Sequence, residues 1–209
     1  MRGIFIVFDG IDGCGKSTQL TRAAERLKLD GYKVVTTREP GGTEISEKIR
    51  SIILAPDNKK MVRECELLLY AASRAQHVRE KIKPTLEQGG MVLCDRFNCS
   101  TIAYQGFGRD IPFPLLETIN SVATGGLVPD LTFIFDISVD AAFSRLSAMK
   151  KSHDRLESSG KEFFSRVAEG YRTIASQDPA KIVLLDAELT IEDLGERVYK
   201  KIKEAIIAV

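Results

Sequence analysis

A glycine-rich segment near the start of the chain has the residue types and spacing needed to bind phosphate. Residues 10–17 match the pattern GxxxxGK[ST] and follow the apolar run Ile4–Phe8. Glycines let backbone N–H groups turn inward around phosphate oxygens, and the helix that follows adds the positive end of its dipole. We expect Lys16 to be exposed and to reach the β- and γ-phosphates, and Ser17 to bind Mg²⁺. The predicted nucleotide-binding residues are Gly10, Ile11, Asp12, Gly13, Cys14, Gly15, Lys16, Ser17 and Thr18.

Acidic residues at the ends of two apolar runs could supply a further Mg²⁺ ligand. Asp95 follows Met91–Cys94, and Asp136 follows Leu131–Phe135. Nucleotide kinases and hydrolases commonly hold the metal with an acid at the end of a second strand. We favour Asp95, because Arg96 comes next and would place a phosphate-binding cation at the same strand end. Either carboxylate could instead cap the turn that follows it.

Several arginines fall at strand ends or on the helices beside them, where ligands of open α/β sheets bind. Arginine is the planar, bidentate partner of phosphate. Each one taken alone could be an ordinary surface residue. Several beside a phosphate-binding loop favour a second phosphorylated ligand, because cations reduce the repulsion between two phosphate groups. The arginines concerned are Arg38, Arg50, Arg74 and Arg96.

Strands and helices alternate along the chain, which predicts one α/β domain over residues 1–209. We expect a five-stranded, mostly parallel sheet with helices on both faces. The predicted strands are Ile4–Phe8, Val34–Thr37, Met91–Cys94, Leu131–Phe135 and Ile182–Leu185. The predicted helices are about Lys16–Leu29, Glu44–Leu54, Arg63–Glu87 with a kink at Pro84, Val139–Met149, Lys161–Ser176 and Ile191–Ile207.

The segment 150–160 is polar and poor in core residues. It is either a solvated loop or a lid that closes over a ligand, because segments that close must have low local stability. Arg155 lies inside it.

Composition excludes several classes of protein. The chain has 209 residues, 44% hydrophobic, and a formal net charge of +1, so neither a disordered chain nor a general binder of nucleic acids or membrane surfaces is expected. The apolar runs are too short to span a membrane, and no export signal is recognised, which favours the cytoplasm. The four cysteines lack metal-site spacing and are expected to be reduced. Cys14 is an exception to watch, because Lys16 and a helix dipole could lower the pKa of its thiol.

Further segments, in order along the chain, carry a resemblance to a known family. They are residues 37–43 (TREPGGT), 95–97 (DRF), Ser100 with 103–106 (AYQG), and 154–157 (DRLE). Together with residues 10–17 they resemble bacterial thymidylate kinases, over about residues 3–205. The resemblance implies a P-loop nucleotide-kinase fold, phosphorylation of dTMP to dTDP, ATP and Mg²⁺ as cofactors, and a homodimer. In keeping with the net charge of +1, we expect no nucleic-acid polymer or membrane as a partner.

The resemblance also implies roles for single residues. Arg38, Arg50 and Arg96 would bind phosphate, with Glu39 and Pro40 shaping the loop between them.

Base recognition is implied for a second group of residues. Tyr70 would stack on thymine and Arg74 would hydrogen-bond the edge of the base, while Ser100 belongs to a matching motif of the same pocket. Tyr70 stands where phenylalanine is common, Phe97 replaces a frequent tyrosine, and Thr101 lies where relatives can carry asparagine.

A third group of residues would contact the sugar. Tyr104 would pack against the deoxyribose where a ribose 2′-hydroxyl would lie, and Gln105 would line the same pocket. Asp12 would lie near the sugar 3′-hydroxyl or the metal.

The acceptor is a phosphate oxygen that is already ionised near neutral pH, so no strong base is required. Catalysis then depends on alignment and charge neutralisation. The loop at 10–17 contains no arginine, so we expect Arg155 to supply a cation in the transition state, with Arg145 or Lys151 next in line. The predicted catalytic residues are Lys16, Asp95, Arg96 and Arg155.

Two other functions compete with this interpretation. A nucleoside kinase, or a kinase of another nucleoside monophosphate, would share the phosphate loop. A nucleoside kinase also needs a carboxylate base near the second strand, and Glu39 could serve as that base. A nucleotide-dependent switch would need a residue that positions water and loops that change shape, and we find neither in the sequence.

Overall fold

The computed structural model describes residues 3–148, 155–156 and 159–208. Its central sheet has five strands: β1 Phe5–Asp9, β2 Val34–Arg38, β3 Met91–Asp95, β4 Leu131–Asp136 and β5 Ile182–Asp186. They lie in the order β2-β3-β1-β4-β5, and every neighbouring pair is parallel, which confirms the predicted sheet. Each strand boundary lies within one residue of its prediction.

The helices are α1 Lys16–Leu29, α2 Glu44–Leu54, α3 Arg63–His77, α4 Lys83–Glu87, α5 Asn98–Thr101, α6 Phe113–Thr124, α7 Val139–Ala148, α8 Lys161–Gln177 and α9 Ile191–Ala208. Two π-helical segments accompany them, π1 Val78–Ile82 and π2 Ile102–Gly108. The long helix predicted up to Glu87 is therefore interrupted by π1, before Pro84 is reached. No helix was predicted for α5, π2 or α6. Of the predicted lid at 150–160, only residues 155–156 and 159–160 lie within the described part of the chain.

Strand β1 is buried on both faces, as its continuous apolar run predicted. On one face Phe8 packs against Phe133 and Phe135, with ring centroids 5.3 and 6.0 Å apart. On the other face Phe5 meets the edge of Phe97 at 4.9 Å. The two aromatic layers fix β1 in the middle of the sheet, so the loop that leaves its carboxyl end starts from a rigid point.

The pairing register collects charged residues at the carboxyl edge of the sheet. Phe8, beside the terminal Asp9 of β1, pairs with Asp95 of β3, and Asp95 pairs with Arg38 of β2. These side chains are far apart in sequence and become neighbours because parallel strands end together. In the described part of the chain, no helix is both long and apolar enough to cross a membrane.

Helix α8 and π2 approach closely, and glycines make this possible. A Cβ on Gly170 would lie 2.7 Å from Cδ2 of Phe107, and a Cβ on Gly108 would lie 2.6 Å from Cε2 of Phe163. Both distances are shorter than any ordinary carbon contact. The π2 segment carries residues of the pocket described below, so this contact sets the position of the pocket wall.

We predict that Gly170→Ala destabilises the protein by about 1–3 kcal/mol, because the ring of Phe107 is packed and cannot give way. Gly195→Ala is the matched control, since Gly195 is also inside a helix and its Cβ would meet no aromatic ring: the nearest atoms are Oε1 of Gln19 at 3.2 Å and Nε of Arg22 at 3.6 Å. Thermal unfolding should show Gly170→Ala melting below Gly195→Ala by several degrees. Equal melting temperatures would contradict the close packing.

Candidate active site

The loop at residues 10–17 has a backbone with positive φ, which favours glycine, at three positions. Gly10, Gly13 and Gly15 have φ of 141°, 84° and 88°. A Cβ on Gly10 would lie 2.7 Å from the carbonyl oxygen of Phe135, and one on Gly13 would lie 2.6 Å from that of Ala142. The loop is therefore tightly seated on β4 and α7 and directly precedes α1, as a phosphate cradle requires.

Lys16 is buried, with 6% of its surface exposed, so the expectation that it is exposed is wrong. Its Nζ folds toward two carboxylates, 3.7 Å from Oδ1 of Asp12 and 3.8 Å from Oδ1 of Asp95. Burial and the charge of Arg96 act to lower the pKa of Lys16, but the nearby acids outweigh them and raise it. Lys16 thus stays charged inside the site, where it is worth most to a phosphate.

The structure distinguishes the two acids proposed for Mg²⁺. Ser17 Oγ donates a hydrogen bond of 2.5 Å to Oδ2 of Asp95, whereas both oxygens of Asp136 accept from Arg172 Nε at 3.1 Å. Hydroxyl and carboxylate oxygens are the hard ligands that Mg²⁺ prefers, so Ser17 and Asp95 fit the ion. The described residues contain no group of three or more acid, histidine or cysteine side chains that could hold a metal alone. Phosphates and water would have to complete the coordination.

Ten of the twelve residues predicted to bind the second substrate surround one pocket. The ten are Asp12, Glu39, Pro40, Arg50, Tyr70, Arg96, Ser100, Thr101, Tyr104 and Gln105. Leu54 and Leu156 complete the lining and were not predicted. The pocket adjoins the phosphate loop through Asp12, and the segments after β2 and β3, the helices α2, α3 and α5, π2 and residue 156 all contribute to it.

Arg96 lies where the loop and the pocket meet. Its backbone has φ of 70°, a left-handed conformation that is strained for a non-glycine residue and is characteristic of functional sites. Its Nη2 donates to Oδ1 of Asp12 at 2.7 Å, and the hydroxyl of Tyr104 donates to Oδ2 of the same acid at 3.1 Å. Burial would raise the pKa of Asp12, but Arg96 and Lys16 hold it well below its usual range. Asp12 is therefore ionised between two cations.

The other arginines predicted to bind phosphate differ in position. Arg50 lines the pocket, and its Nη1 donates to the carbonyl oxygen of Pro40 at 2.8 Å. Arg38 is half exposed and binds both oxygens of Glu47 at 3.0 Å. Of the predicted set, Arg38 and Arg74 are the two that the structure does not bring to the pocket wall.

Arg74 is buried beneath the pocket rather than in it, with 2% of its surface exposed. Its Nε donates to Oε2 of Glu39 at 2.7 Å, and its other bonds reach Thr101, Asn120 and Phe97. Four of its five N–H groups are thus used within the protein. Hydrogen bonding to a base edge stays a prediction, and the structure gives Arg74 a supporting role under Glu39 and Thr101.

Arg155 is not brought to the phosphate loop. Its Nη2 lies 2.5 Å from Oε2 of Glu66, and its Nε donates to the carbonyl oxygen of Ile53 at 2.9 Å. Arg145, named as an alternative, does lie beside the loop: its Nη1 is 3.9 Å from the place of a Cβ on Gly15. A role for Arg155 in the transition state stays a prediction, and it would require the ion pair with Glu66 to break.

Four functional or supporting residues were missed. Asp9 is fully buried and accepts hydrogen bonds from Ser100 Oγ and Tyr171 at 2.6 Å each. His77 and Glu66 are buried partners of pocket residues. Asp9 could have been found, because it ends an apolar strand as Asp95 does; Tyr171, His77 and Glu66 carry no comparable signal in the sequence.

Cys14 does not have an activated thiol. Burial raises the pKa of Cys14 and outweighs the opposing charge of Lys16, so the expected lowering is wrong. The four cysteines form no disulfide, and Cys94 and Cys99 are buried too.

Comparisons with known proteins agree on one family. A family model described as thymidylate kinase matches residues 8–198. A thymidylate kinase of Enterococcus faecalis is 47% identical over 206 residues, which cover 98% of this chain and 97% of that protein. That of Exiguobacterium sp. strain AT1b is 46% identical over 198 residues, covering 95% and 93%. The crystal structure of thymidylate kinase from Ehrlichia chaffeensis matches with a TM-score of 0.79 and 34% identity, covering 97% of this chain and 99% of that one.

We predict that the thiol of Cys14 is unreactive in the folded protein. In a Cys65→Ser variant, which lacks the exposed cysteine, a chromogenic disulfide reagent should label no thiol rapidly until urea unfolds the chain, because reactivity follows thiolate character and access. Three thiols should then appear together. A rapidly labelled thiol that disappears with Cys14→Ala would contradict the inert character of this residue.

Proposed function

The chain belongs to the thymidylate kinase family, and on that premise we propose how its residues bind two substrates and promote phosphoryl transfer between them. It has the P-loop kinase fold of that family and phosphorylates dTMP to dTDP. The observation that carries the residue assignment is the convergence of ten predicted residues on one pocket beside the phosphate loop. We infer that the loop takes the phosphates of ATP and the pocket takes dTMP.

The donor side is built from the loop and the end of β3. Its glycines leave room for phosphate oxygens at the backbone, and Lys16 supplies the buried charge. Ser17 and Asp95 would hold Mg²⁺, which when bound neutralises charge on the β- and γ-phosphates. We infer that Arg145 adds a cation on this side. Its Nη2 is anchored at 3.0 Å on the carbonyl oxygen of Ala187, which keeps the guanidinium beside Gly15.

The acceptor side combines an aromatic ring, apolar residues and cations. Tyr70 provides a face for the base, and Leu54 and Leu156 provide apolar surface. Tyr104 is buried and tied by its hydroxyl to Asp12, so its ring is held rigidly where it would exclude a ribose 2′-hydroxyl. Arg50 and Arg96 are placed for the acceptor phosphate.

We infer that Arg96 lies between the two substrates and stabilises the negative charge that moves from donor to acceptor. Its own bond to Asp12 fixes the direction of the guanidinium before any ligand arrives. A fixed cation costs no reorganisation when negative charge moves from donor to acceptor. The acceptor oxygen is ionised near neutral pH, since the second pKa of a phosphate monoester is about 6, and it needs no base.

Glu39 is poorly suited to serve as a base, which argues against a nucleoside kinase. Oε2 accepts from Arg74 at 2.7 Å, and Oε1 lies 3.0 Å from Nδ1 of His77. Because the carboxylate accepts only, Nδ1 is the protonated ring nitrogen and the other nitrogen, Nε2, can accept from the hydroxyl of Thr37 at 2.7 Å. Both oxygens of Glu39 are thus occupied, so it serves to hold the loop.

We further propose a homodimer formed through α2, α3 and α6, which pack side by side. These helices expose large apolar side chains, a feature typical of protein interfaces. They are Ile45, Ile52, Leu68, Leu115 and Val122, with exposures between 46% and 70%. A cytoplasmic location is proposed from the four unpaired cysteines, which suit a reducing compartment.

An ATP-coupled assay over dTMP, dUMP, dCMP, UMP, AMP and thymidine tests the proposed substrate. We expect dTMP to be used best and UMP and thymidine poorly, because the pocket has cations for a phosphate and a buried ring against the sugar. Equal use of dTMP and UMP would contradict the assignment of Tyr104, and preference for thymidine would favour the nucleoside kinase.

The same assay tests the role of the phosphate loop in phosphoryl transfer. Lys16→Ala should lower the transfer rate by about 10²–10³-fold or more, because a buried charge on the phosphates is lost. Lys28→Ala is the matched control, on the exposed face of the same helix, and should leave the rate unchanged. A Lys16→Ala variant with normal turnover would contradict the donor site.

The dimer is tested by light scattering after gel filtration. We expect a mass of about twice 23.1 kDa, and Leu68→Glu should give the monomer because a charge is poorly tolerated in an apolar interface. Leu29→Glu, at an 89% exposed position on α1, should leave the dimer intact. A monomeric wild type at micromolar concentration would exclude the proposed interface.

A further inference from the structure

Glu66 on α3 is a buried carboxylate that the phosphoryl-transfer mechanism does not use. Only 1% of its surface is exposed, although it lies on a helix whose neighbouring residues Glu64 and Cys65 are exposed. An ionised carboxylate is costly to bury unless charges and hydrogen bonds compensate it. The partners of Glu66 should therefore reveal why it is placed there.

Three partners reach Glu66, each from a different part of the chain. Gln105 Nε2 donates to Oε1 at 2.9 Å, and Arg109 contacts both oxygens at 3.4 Å. Arg155 Nη2 donates to Oε2 at 2.5 Å. Two of these partners belong to or adjoin the acceptor pocket: Gln105 lines it, and Arg155 precedes Leu156, which also lines it.

The contact with Arg155 fixes where Leu156 lies. Arg155 is held from two sides, by Glu66 and by the carbonyl oxygen of Ile53 at 2.9 Å. Leu54, the residue after Ile53, lines the pocket together with Leu156, which is 6% exposed. The ion pair thus holds Leu156 on the wall of the acceptor pocket, which Leu54 at the end of α2 also lines.

The contact with Gln105 fixes the orientation of an amide. A carboxylate only accepts hydrogen bonds, so the amide nitrogen of Gln105 must face Glu66. Its oxygen is then the group left for other partners. With Gln105 nearly fully buried, the amide has no freedom to turn without breaking this bond.

We propose that Glu66 is a positioning residue of the acceptor pocket, which seats Leu156 through Arg155 and orients Gln105 directly. The proposal rests on the proposed function, because it takes the pocket to be the dTMP site. It assigns Arg155 to binding of the acceptor and leaves neutralisation of the transferred phosphoryl group to Arg96, Lys16 and Arg145. Loss of Glu66 or Arg155 should weaken dTMP binding and leave the chemical step intact.

The experiment measures dTMP binding without ATP by calorimetry, together with kcat and both KM values. Glu66→Gln and Arg155→Ala should each raise the dissociation constant of dTMP by about tenfold or more, whereas kcat at saturating dTMP and the KM for ATP should change by less than about threefold. The double variant should bind dTMP no more weakly than Glu66→Gln alone, because loss of the Glu66 carboxylate already removes the contact through which Arg155 acts. Glu64→Gln, an exposed carboxylate on the same helix, is the matched control and should bind as the wild type does.

Melting temperatures separate positioning from stability. Arg109→Ala removes a partner of the Glu66 carboxylate but leaves Arg155 unchanged. It should therefore lower the melting temperature, and it should weaken dTMP binding less than Arg155→Ala does. Unchanged dTMP affinity in Glu66→Gln and Arg155→Ala, even with a lower melting temperature, would overturn the proposal. A loss of kcat with unchanged dTMP binding would also overturn it and return Arg155 to the transition state. If the wild type binds another monophosphate in place of dTMP, the proposed function fails, and the same variants decide the role of Glu66 with that nucleotide.

Discussion

The carboxylate of Asp9 is the point on which the site depends. It is fully buried at the end of the central strand and accepts hydrogen bonds from the backbone N–H groups of Gly10, Phe97 and Ser100. Side-chain bonds from Ser100 and Tyr171 complete its shell. One group therefore joins the first residue of the phosphate loop, the turn after β3 and helix α8. A buried charge with this many donors is strongly held, because each donor would otherwise be left unpaired.

Charges around the two substrates are compensated by the protein itself. Asp12 lies between Lys16 and Arg96, Glu39 is paired with Arg74, and Glu66 is bound to two arginines. Since opposite charges are already paired, the cations have fixed directions before a nucleotide arrives. The net charge of +1 hides this arrangement, because a site for two polyanionic ligands is assembled here from a few local cations rather than a basic surface.

The sequence predicted what is local and missed what depends on distant contacts. The phosphate loop and the five strands follow from short patterns, and the motifs shared with the family identified most of the pocket. The burial of Lys16 could not be predicted, since it results from Asp95, 79 positions away by number, reaching the same edge of the sheet. The position of Arg155 was missed for the same reason, because its partner Glu66 lies on another element. The helices α5 and α6 and the π-helical segment π2 were not predicted. The sequence of π2, IAYQGFG, contains two glycines and follows no helical apolar spacing.

The place of β1 in the sheet has a consequence for biosynthesis. Its residues pair with Val92 on one side and Leu131 on the other, so the strand that is made first must wait for partners that are made much later. At about 5–20 residues per second, that wait is on the order of ten seconds. The phosphate loop also rests on Phe135 and Ala142, so a nascent chain cannot bind nucleotide until most of it has left the ribosome. During this interval the apolar strand β1 is unpaired, and nucleotide binding cannot yet stabilise the growing chain.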